Sequence, residues 1–194
     1  MALYFARPAD EPVPSSLTTW RFLLRVPHTG DGPLVNAAIR ESFESLRAWM
    51  PWARRVPTLA ESESFVREAA TRFHNREEIN YLIFPREQGP LAGVIGLHTI
   101  DWSVPRFEIG YWLCDSARGR GCMTEAVQAL TALCFERMGA QRMEIRCDSR
   151  NTRSAAVAKR AGYRLEATLH NQARDTAGGL RDTLVFVRFP EAER

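Results

Sequence analysis

Arg118-Gly119-Arg120-Gly121-Cys122-Met123 joins a strand-patterned run to a helix-patterned one, and its residue types are those of an anion-binding turn. Glycines at 119 and 121 allow a tight turn and let the backbone come close to a ligand. The amides of the next helix's first turn then point outward at the positive end of the helix dipole, which suits a pyrophosphate. Arg118, Arg120 and Thr124 add further donors. Two other phosphate loops are excluded: no lysine followed by Ser or Thr stands here, and the third glycine of the dinucleotide fingerprint is missing. Taken alone, the six residues are weak evidence and more often mean an ordinary tight turn with solvated arginines.

The flanks strengthen the first reading. Upstream, Phe107, Ile109, Tyr111 and Leu113 alternate with Glu108, Gly110, Trp112 and Cys114. Large apolar groups on both sides make this strand, Arg106 to Cys114, an interior one covered on both faces. Tyr81–Phe84 and Leu91–Ile100 precede it as strands, with turns at Arg86–Pro90 and Asp101–Pro105, an antiparallel meander. Downstream, Met123, Val127, Leu130, Cys134 and Met138 lie on one helical face that ends at Gly139. A strand from Arg142 to Asp148 and a short helix from Thr152 to Ala161 follow, closed by Gly162. Tyr163–His170 and Thr183–Phe189 then read as strands joined across Gly178-Gly179.

Toward the N-terminus, Trp20–Val26 is β-favouring, and a helix runs from Leu34 until Pro51 stops it, ending in the aromatic Trp49-Met50-Pro51-Trp52. Thr58 with Glu61 has the spacing of a capping box, opening a helix to about Phe73. Residues 1–18, with Pro8, Pro12 and Pro14, read as an extended lead-in. The pattern predicts an α/β (α+β) domain spanning 1–194: a mixed, mostly antiparallel twisted sheet of about six to seven strands with helices on both faces.

Composition narrows the function classes. The chain has 194 residues, 45% hydrophobic and 25% charged, which is ordinary for one globular domain. No apolar run is long enough for a membrane span and no secretory signal is visible. A net charge of +3, from 26 basic and 23 acidic residues, is too mild for direct nucleic-acid binding. Cys114, Cys122, Cys134 and Cys147 form no CxxC pair, and His28, His74, His98 and His170 are scattered, so no metal site is expected. A reducing cytoplasm follows from that cysteine usage.

A strand, then Arg118-x-x-Gly121-x-Met123, then an amphipathic helix resembles the acetyl-coenzyme A signature of the GCN5-related N-acetyltransferases (the GNAT superfamily). Glu108-Ile109-Gly110-Tyr111-Trp112-Leu113, Met123-Thr124-Glu125-Ala126, Asn151-x-x-Ser154, Ala161-Gly162-Tyr163 and Trp49-Met50-Pro51-Trp52 are similar to its ribosomal-protein N-terminal acetyltransferase (RimJ/RimL-like) branch. The likeness runs from about residue 20 through nearly the whole chain. Met123 departs from the superfamily's Gly or Ala but is usual in this branch.

The resemblance implies the GNAT fold and acetyl-coenzyme A as cosubstrate, with no metal. It places the coenzyme's pantetheine arm on backbone groups of Trp112, Leu113 and Cys114, at a V-shaped gap opened by a bulge in that strand. It places the pyrophosphate on Arg118, Gly119, Arg120, Gly121, Cys122, Met123 and Thr124, and sets Asn151 on the coenzyme arm, where Asn151 equally reads as a helix cap.

Direct transfer to an amine needs a base, an oxyanion site and a donor to the leaving thiolate. Glu108 is the candidate base, since burial on an apolar strand raises a carboxylate's pKa; a structural pairing with Arg106 or Arg146 is the competing reading. Gly110 beside it would leave room for substrate. Many members use a tyrosine near the slot held here by Val157, which cannot protonate sulfur; the branch's serine, Ser154, is the candidate in its place, or merely caps its helix. Glu77 or Glu78 could reach the acceptor. A Cys122 acyl-enzyme is disfavoured because no histidine is near in sequence. Cys134 and Tyr163 read as core, and Trp49–Trp52 as acceptor wall or packing.

The acceptor implied is a protein N-terminal amine. A small-molecule amine (polyamine, amino acid or aminoglycoside) is the alternative, and a non-catalytic acyl-coenzyme A sensor is one of another class. No membrane or nucleic-acid partner is expected, and a homodimer is left open.

Overall fold

The computed structural model describes residues 12–191. Most of the expected lead-in, residues 1–11, lies outside the described residues. Its end is not merely extended: Ser16–Thr18 forms a strand, β1, antiparallel to β2, Phe22–Arg25. That strand raises the sheet to eight, one more than the pattern suggested. Three residues carry too short an alternation to register as a strand by themselves. The Pro14 carbonyl is tied to the Tyr81 hydroxyl at 2.6 Å, a contact from 67 residues away.

Two helices and a short one come next, α1 Gly32–Glu41, α2 Phe43–Arg47 and α3 Leu59–His74. The sheet continues with β3 Ile79–Pro85, β4 Gly93–Asp101 and β5 Arg106–Leu113. After a 3₁₀ turn at Asp115–Ala117 come α4 Cys122–Arg137, β6 Arg142–Asp148, α5 Thr152–Arg160, β7 Arg164–Arg174 and β8 Leu180–Arg188. The strand order is β1-β2-β3-β4-β5-β6-β8-β7. Among the described residues β5–β6 alone is parallel, which the α4 crossover explains.

Alternation on the interior strands builds two cores. Tyr81, Ile83, Ile95, Leu97, Phe107 and Ile109 face α4 and α5, packing on Met123, Val127, Leu130 and Cys134. Leu82, Val94 and Trp112 face the other way, onto Val35, Ile39 and Val66 of α1 and α3. Each fully buried Leu or Ile in these layers is worth about 1.5–3 kcal/mol. Thus β5 is covered on both faces, as its composition required.

Local signals explain the boundaries. Thr58 and Glu61 make the expected capping box. Gly139, just past α4, takes φ +66, and the Ala140 amide turns back to the Cys134 carbonyl at 2.9 Å. The helix expected from Leu34 to Pro51 is instead broken at Ser42, between α1 and α2. The reason is tertiary: the buried Ser42 hydroxyl accepts the Asp115 amide at 2.9 Å, and Ser45 donates to the Asp115 carboxylate at 2.6 Å. The break therefore anchors the turn that leads into the Arg118 loop. The last hairpin is longer than its alternation suggested, because a register irregularity between Leu169 and Ala173 carries pairing on to Arg174.

Candidate active site

The site begins where β5 and β6 separate. They pair only at Arg106–Arg142, Phe107–Met143 and Glu108–Glu144. Beyond Glu108, β6 keeps its bonds to β8 as far as Asp148, so β5 and β6 splay into a V. The irregularity that accompanies the split is not in β5, as expected, but in β4 between His98 and Asp101, where Thr99 takes φ +53. A cavity of 860 Å³ occupies the opening. Glu108, Trp112, Asn151 and Ser154 all line it.

Strand alternation points Glu108 toward the sheet face opposite the one that α5, which carries Ser154, covers, and both residues reach one cavity where the sheet is split. Glu108 shares its face with Arg146, whose Nε stands 3.6 Å from a carboxylate oxygen. Burial pushes the Glu108 carboxyl above its usual range, and the charges of Arg146 and His98 oppose the shift without cancelling it. The predicted arginine pairing and the base-like environment thus coexist. Arg106 instead faces Asp101, at 3.8 Å.

The room expected beside Gly110 is filled. A Cβ at Gly110 would stand 2.0 Å from Cε1 and Nε2 of His98, so that edge of the imidazole presses against the glycine. Gly110 makes space for His98, and His98 lines the cavity next to Glu108. Strand register sets this contact, through the His98–Glu108 and Gly96–Gly110 pairs.

Across the split, Asn151 caps α5 by accepting the Ser154 amide at 3.1 Å. Ser154 Oγ shares a hydrogen bond of 3.0 Å with the Tyr111 hydroxyl. Tyr111 is thus a second hydroxyl at the serine, and burial raises its pKa. Its apolar slot in the β5 alternation made it look like core alone; no signal in the chain tied residue 111 to residue 154.

The walls hold further groups. Trp49, Met50, Pro51 and Trp52 line the cavity, and the Trp52 ring lies 6.2 Å from that of Trp112. Glu78 also lines it, held by Arg72 at 3.2 Å and by the Asn80 amide at 2.9 Å. Glu77 does not reach it and accepts from Asn75 at 3.3 Å.

The remaining predicted residues form a separate group at the α4 N-terminus. Gly119 and Gly121 take φ +76 and +75, and Gly121 caps α4 without any side-chain bond to its first turn. The amides of Cys122, Met123 and Thr124 are those that an α-helix leaves unpaired within itself. Cys122 and Met123 bury their side chains in the core and can offer only backbone. Burial pushes the Cys122 thiol up to about 12, so it is no thiolate nucleophile at neutral pH. Arg118 is oriented by Asp115 at 2.5 Å. Thr124 Oγ1 accepts from Arg160 Nε at 3.5 Å.

Arg21, absent from the sequence-based set, locks the loop: its Nη1 donates to the Arg120 carbonyl at 2.7 Å and its Nε to Glu125 at 2.8 Å. Of the three positions assigned to the coenzyme arm, Cys114, just past β5, is engaged elsewhere. Its amide donates to Ala92 at 2.9 Å and its thiol to Leu91 at 3.1 Å. Cys134 and Tyr163 are core, the Tyr163 hydroxyl meeting Thr131 at 2.7 Å. The described residues contain no cluster of three or more His, Cys, Asp or Glu that could hold a metal.

A split sheet with a half-buried carboxylate and a serine opening into one cavity, and a helix start whose first amides have no side-chain cap, is suited to an anionic thioester and an amine. Comparison with known proteins agrees. A family model described as acetyltransferase (GNAT) domain matches residues 21–164. The Escherichia coli ribosomal-protein-serine acetyltransferase is 28% identical over 151 residues, 76% of this chain and 83% of that protein. Bacillus subtilis YdaF is 34% identical over 100 residues, and the match spans only about half of each protein, 50% of this chain and 52% of YdaF. A structure of RimL, a ribosomal L7/L12 alpha-N-protein acetyltransferase in complex with coenzyme A, superposes with a TM-score of 0.83 at 26% identity, covering 94% of this chain and 100% of that one. The chain belongs to the acetyltransferase (GNAT) domain family, the enzymes that move an acetyl group from acetyl-coenzyme A to an amine.

Proposed function

We propose that this chain acetylates the α-amino group of a protein N-terminus, in the cytoplasm, by direct attack within a ternary complex. The observation that carries the reading is that Glu108 and Ser154 open into one cavity through the β5–β6 split. The named activities of the E. coli relative and of RimL support the protein acceptor.

The residues fit the cosubstrate. The α4 amides with Arg118 and Arg120 suit a pyrophosphate, and the β5 edge left unpaired beyond Glu108 suits an amide-bearing arm. When bound, acetyl-coenzyme A supplies the activated acetyl thioester. Glu108 takes a proton from the acceptor ammonium, directly or through water. Free backbone amides on the β5 edge stabilise the developing oxyanion. Ser154 donates toward the departing sulfur, and the Tyr111 hydroxyl holds Ser154 in place. The raised Cys122 thiol takes no part.

A second reading has its own support: 860 Å³ is the size of a small-ligand pocket, which favours a small amine. Release of free thiol from acetyl-coenzyme A, measured with N-terminal peptides and with polyamines, amino acids and aminoglycosides, decides between them. Turnover of peptides alone supports the proposal. Turnover of small amines alone overturns it, and coenzyme binding without thiol release for any acceptor identifies a sensor.

A further inference from the structure

We infer that the acceptor peptide carries a carboxylate within its first few residues, received by Arg54, Arg174 and Arg181. The inference rests on the protein N-terminus reading above. It starts from how the cavity's charges are matched. Every carboxylate lining the cavity has a guanidinium partner. Glu61 is paired with Arg55, Glu78 with Arg72 at 3.2 Å and Glu108 with Arg146 at 3.6 Å. Asp148 and Asp175 share Arg150, at 2.6 and 3.0 Å.

The lining arginines divide differently. Arg55 and Arg146 are among those pairs, but Arg54, Arg174 and Arg181 form no ion pair with a carboxylate among the described residues. Arg174 gives one N–H to the Gly178 carbonyl at 2.7 Å, and Arg181 one to Thr183 Oγ1 at 2.8 Å. A guanidinium has five N–H donors in a fork that fits a carboxylate, so both keep donors to spare. Asp148 feels Arg181 only at longer range.

Their placement is also suited to one ligand. Arg174 and Arg181 lie near the β7–β8 turn, where Thr176 Oγ1 donates to the Ala48 carbonyl at 3.4 Å. That contact brings the hairpin tip against the end of α2, and Arg54 stands in the segment that follows. The three cations therefore line the cavity from two walls, and Glu108 lines it as well. A volume of 860 Å³ is about 9–10 Å across as a cube, roughly three residues of extended chain. With the amine at Glu108, the side chains at peptide positions two to four meet the arginines.

The test uses the full-length protein and octapeptides with a common N-terminal residue, bearing Glu, Gln or Lys at position two, three or four. Initial rates of thiol release give kcat/KM. At one position at least, Glu is favoured over Gln by about tenfold at low salt, with Lys poorest, and added salt narrows the gap. In the Arg174→Gln, Arg181→Gln double variant the Glu-to-Gln ratio falls to near one, through KM rather than kcat. Equal kcat/KM for Glu and Gln peptides at all positions overturns the inference while leaving the peptide acceptor standing. A ratio that survives the double variant overturns the assignment to the hairpin arginines. Failure of every peptide, while a small amine is acetylated, overturns the peptide-acceptor reading and this inference with it.

Discussion

The Tyr111 hydroxyl, on β5, lies 3.0 Å from Ser154 Oγ and 3.2 Å from the Ser154 carbonyl, at the start of α5. This pair joins two elements just where β5 and β6 have ceased to pair. Tyr111→Phe removes the bridge but keeps the ring, so stability falls by about 1 kcal/mol. Ser154→Ala lowers kcat by about ten- to a hundredfold. Because both hydroxyls act at one place, the double variant loses less than the product of the single effects. Thermal melts and kcat for all four proteins check this; strictly multiplicative losses in kcat would show that Tyr111 does not act through Ser154.

As the proposed base, Glu108 is expected to set the acid limb of the rate profile. A base works only when ionised, so rate is present above its pKa and is lost as pH falls through it. Burial raises that pKa above the ordinary glutamate value of about 4.3, and the acid limb of kcat/KM is expected there. Arg146 opposes the shift, so Arg146→Gln moves the limb further toward neutral. Glu108→Gln lowers turnover by about a hundredfold or more and leaves acetyl-coenzyme A affinity nearly intact. A profile that Arg146→Gln does not move would remove Glu108 as the titrating group.

Gly110 and His98 form a steric pair. Gly110→Ala drives a methyl into the imidazole, 2.0 Å from two ring atoms, so the ring must swing into the cavity. The expected outcome is a raised acceptor KM, with coenzyme affinity little altered. Adding His98→Ala removes the clash and recovers much of the peptide KM. If the second substitution brings no recovery, the contact is not the cause.

The two loop glycines differ in a measurable way. Both have left-handed φ, which costs a non-glycine residue about 1–2 kcal/mol. A Cβ at Gly119 meets nothing within 4 Å, whereas one at Gly121 comes 3.3 Å from Arg21 Nη2. Gly121→Ala therefore disturbs the Arg21–Glu125 lock as well as the α4 start, and it weakens acetyl-coenzyme A binding more than Gly119→Ala. Titration calorimetry on the two variants decides it.

Arg118 is proposed to act on the coenzyme by charge. Arg118→Ala weakens acetyl-coenzyme A binding, and the deficit is larger at low ionic strength because salt screens the attraction. Equal affinities for wild type and variant across salt would place the guanidinium off the ligand.

Local patterns made much of this protein legible. The Thr58–Glu61 box, Gly139 and Gly162 marked helix ends because capping is decided within a few residues. The double-sided apolar alternation of residues 106–114 identified the central strand, since period-two patterning records which faces are covered. β1 escaped notice because its pairing with β2, not its own composition, makes it a strand. Likewise the α1–α2 break answers to a hydrogen bond between Ser42 and Asp115, 73 residues apart.

By itself, the sequence determined the fold class, the order of most elements, the glycine turn before α4 and Glu108 as a carboxylate on an apolar strand, while Ser154 came through its likeness to the family's serine. The former are consequences of residue type and short-range period. Only the tertiary structure decided that β5 parts from β6 after Glu108, that His98 covers Gly110, that Tyr111 reaches Ser154 and that Arg21 braces the loop. Each depends on register or on contacts between distant segments, and a one-residue change in register would turn every such side chain to the other face of the sheet.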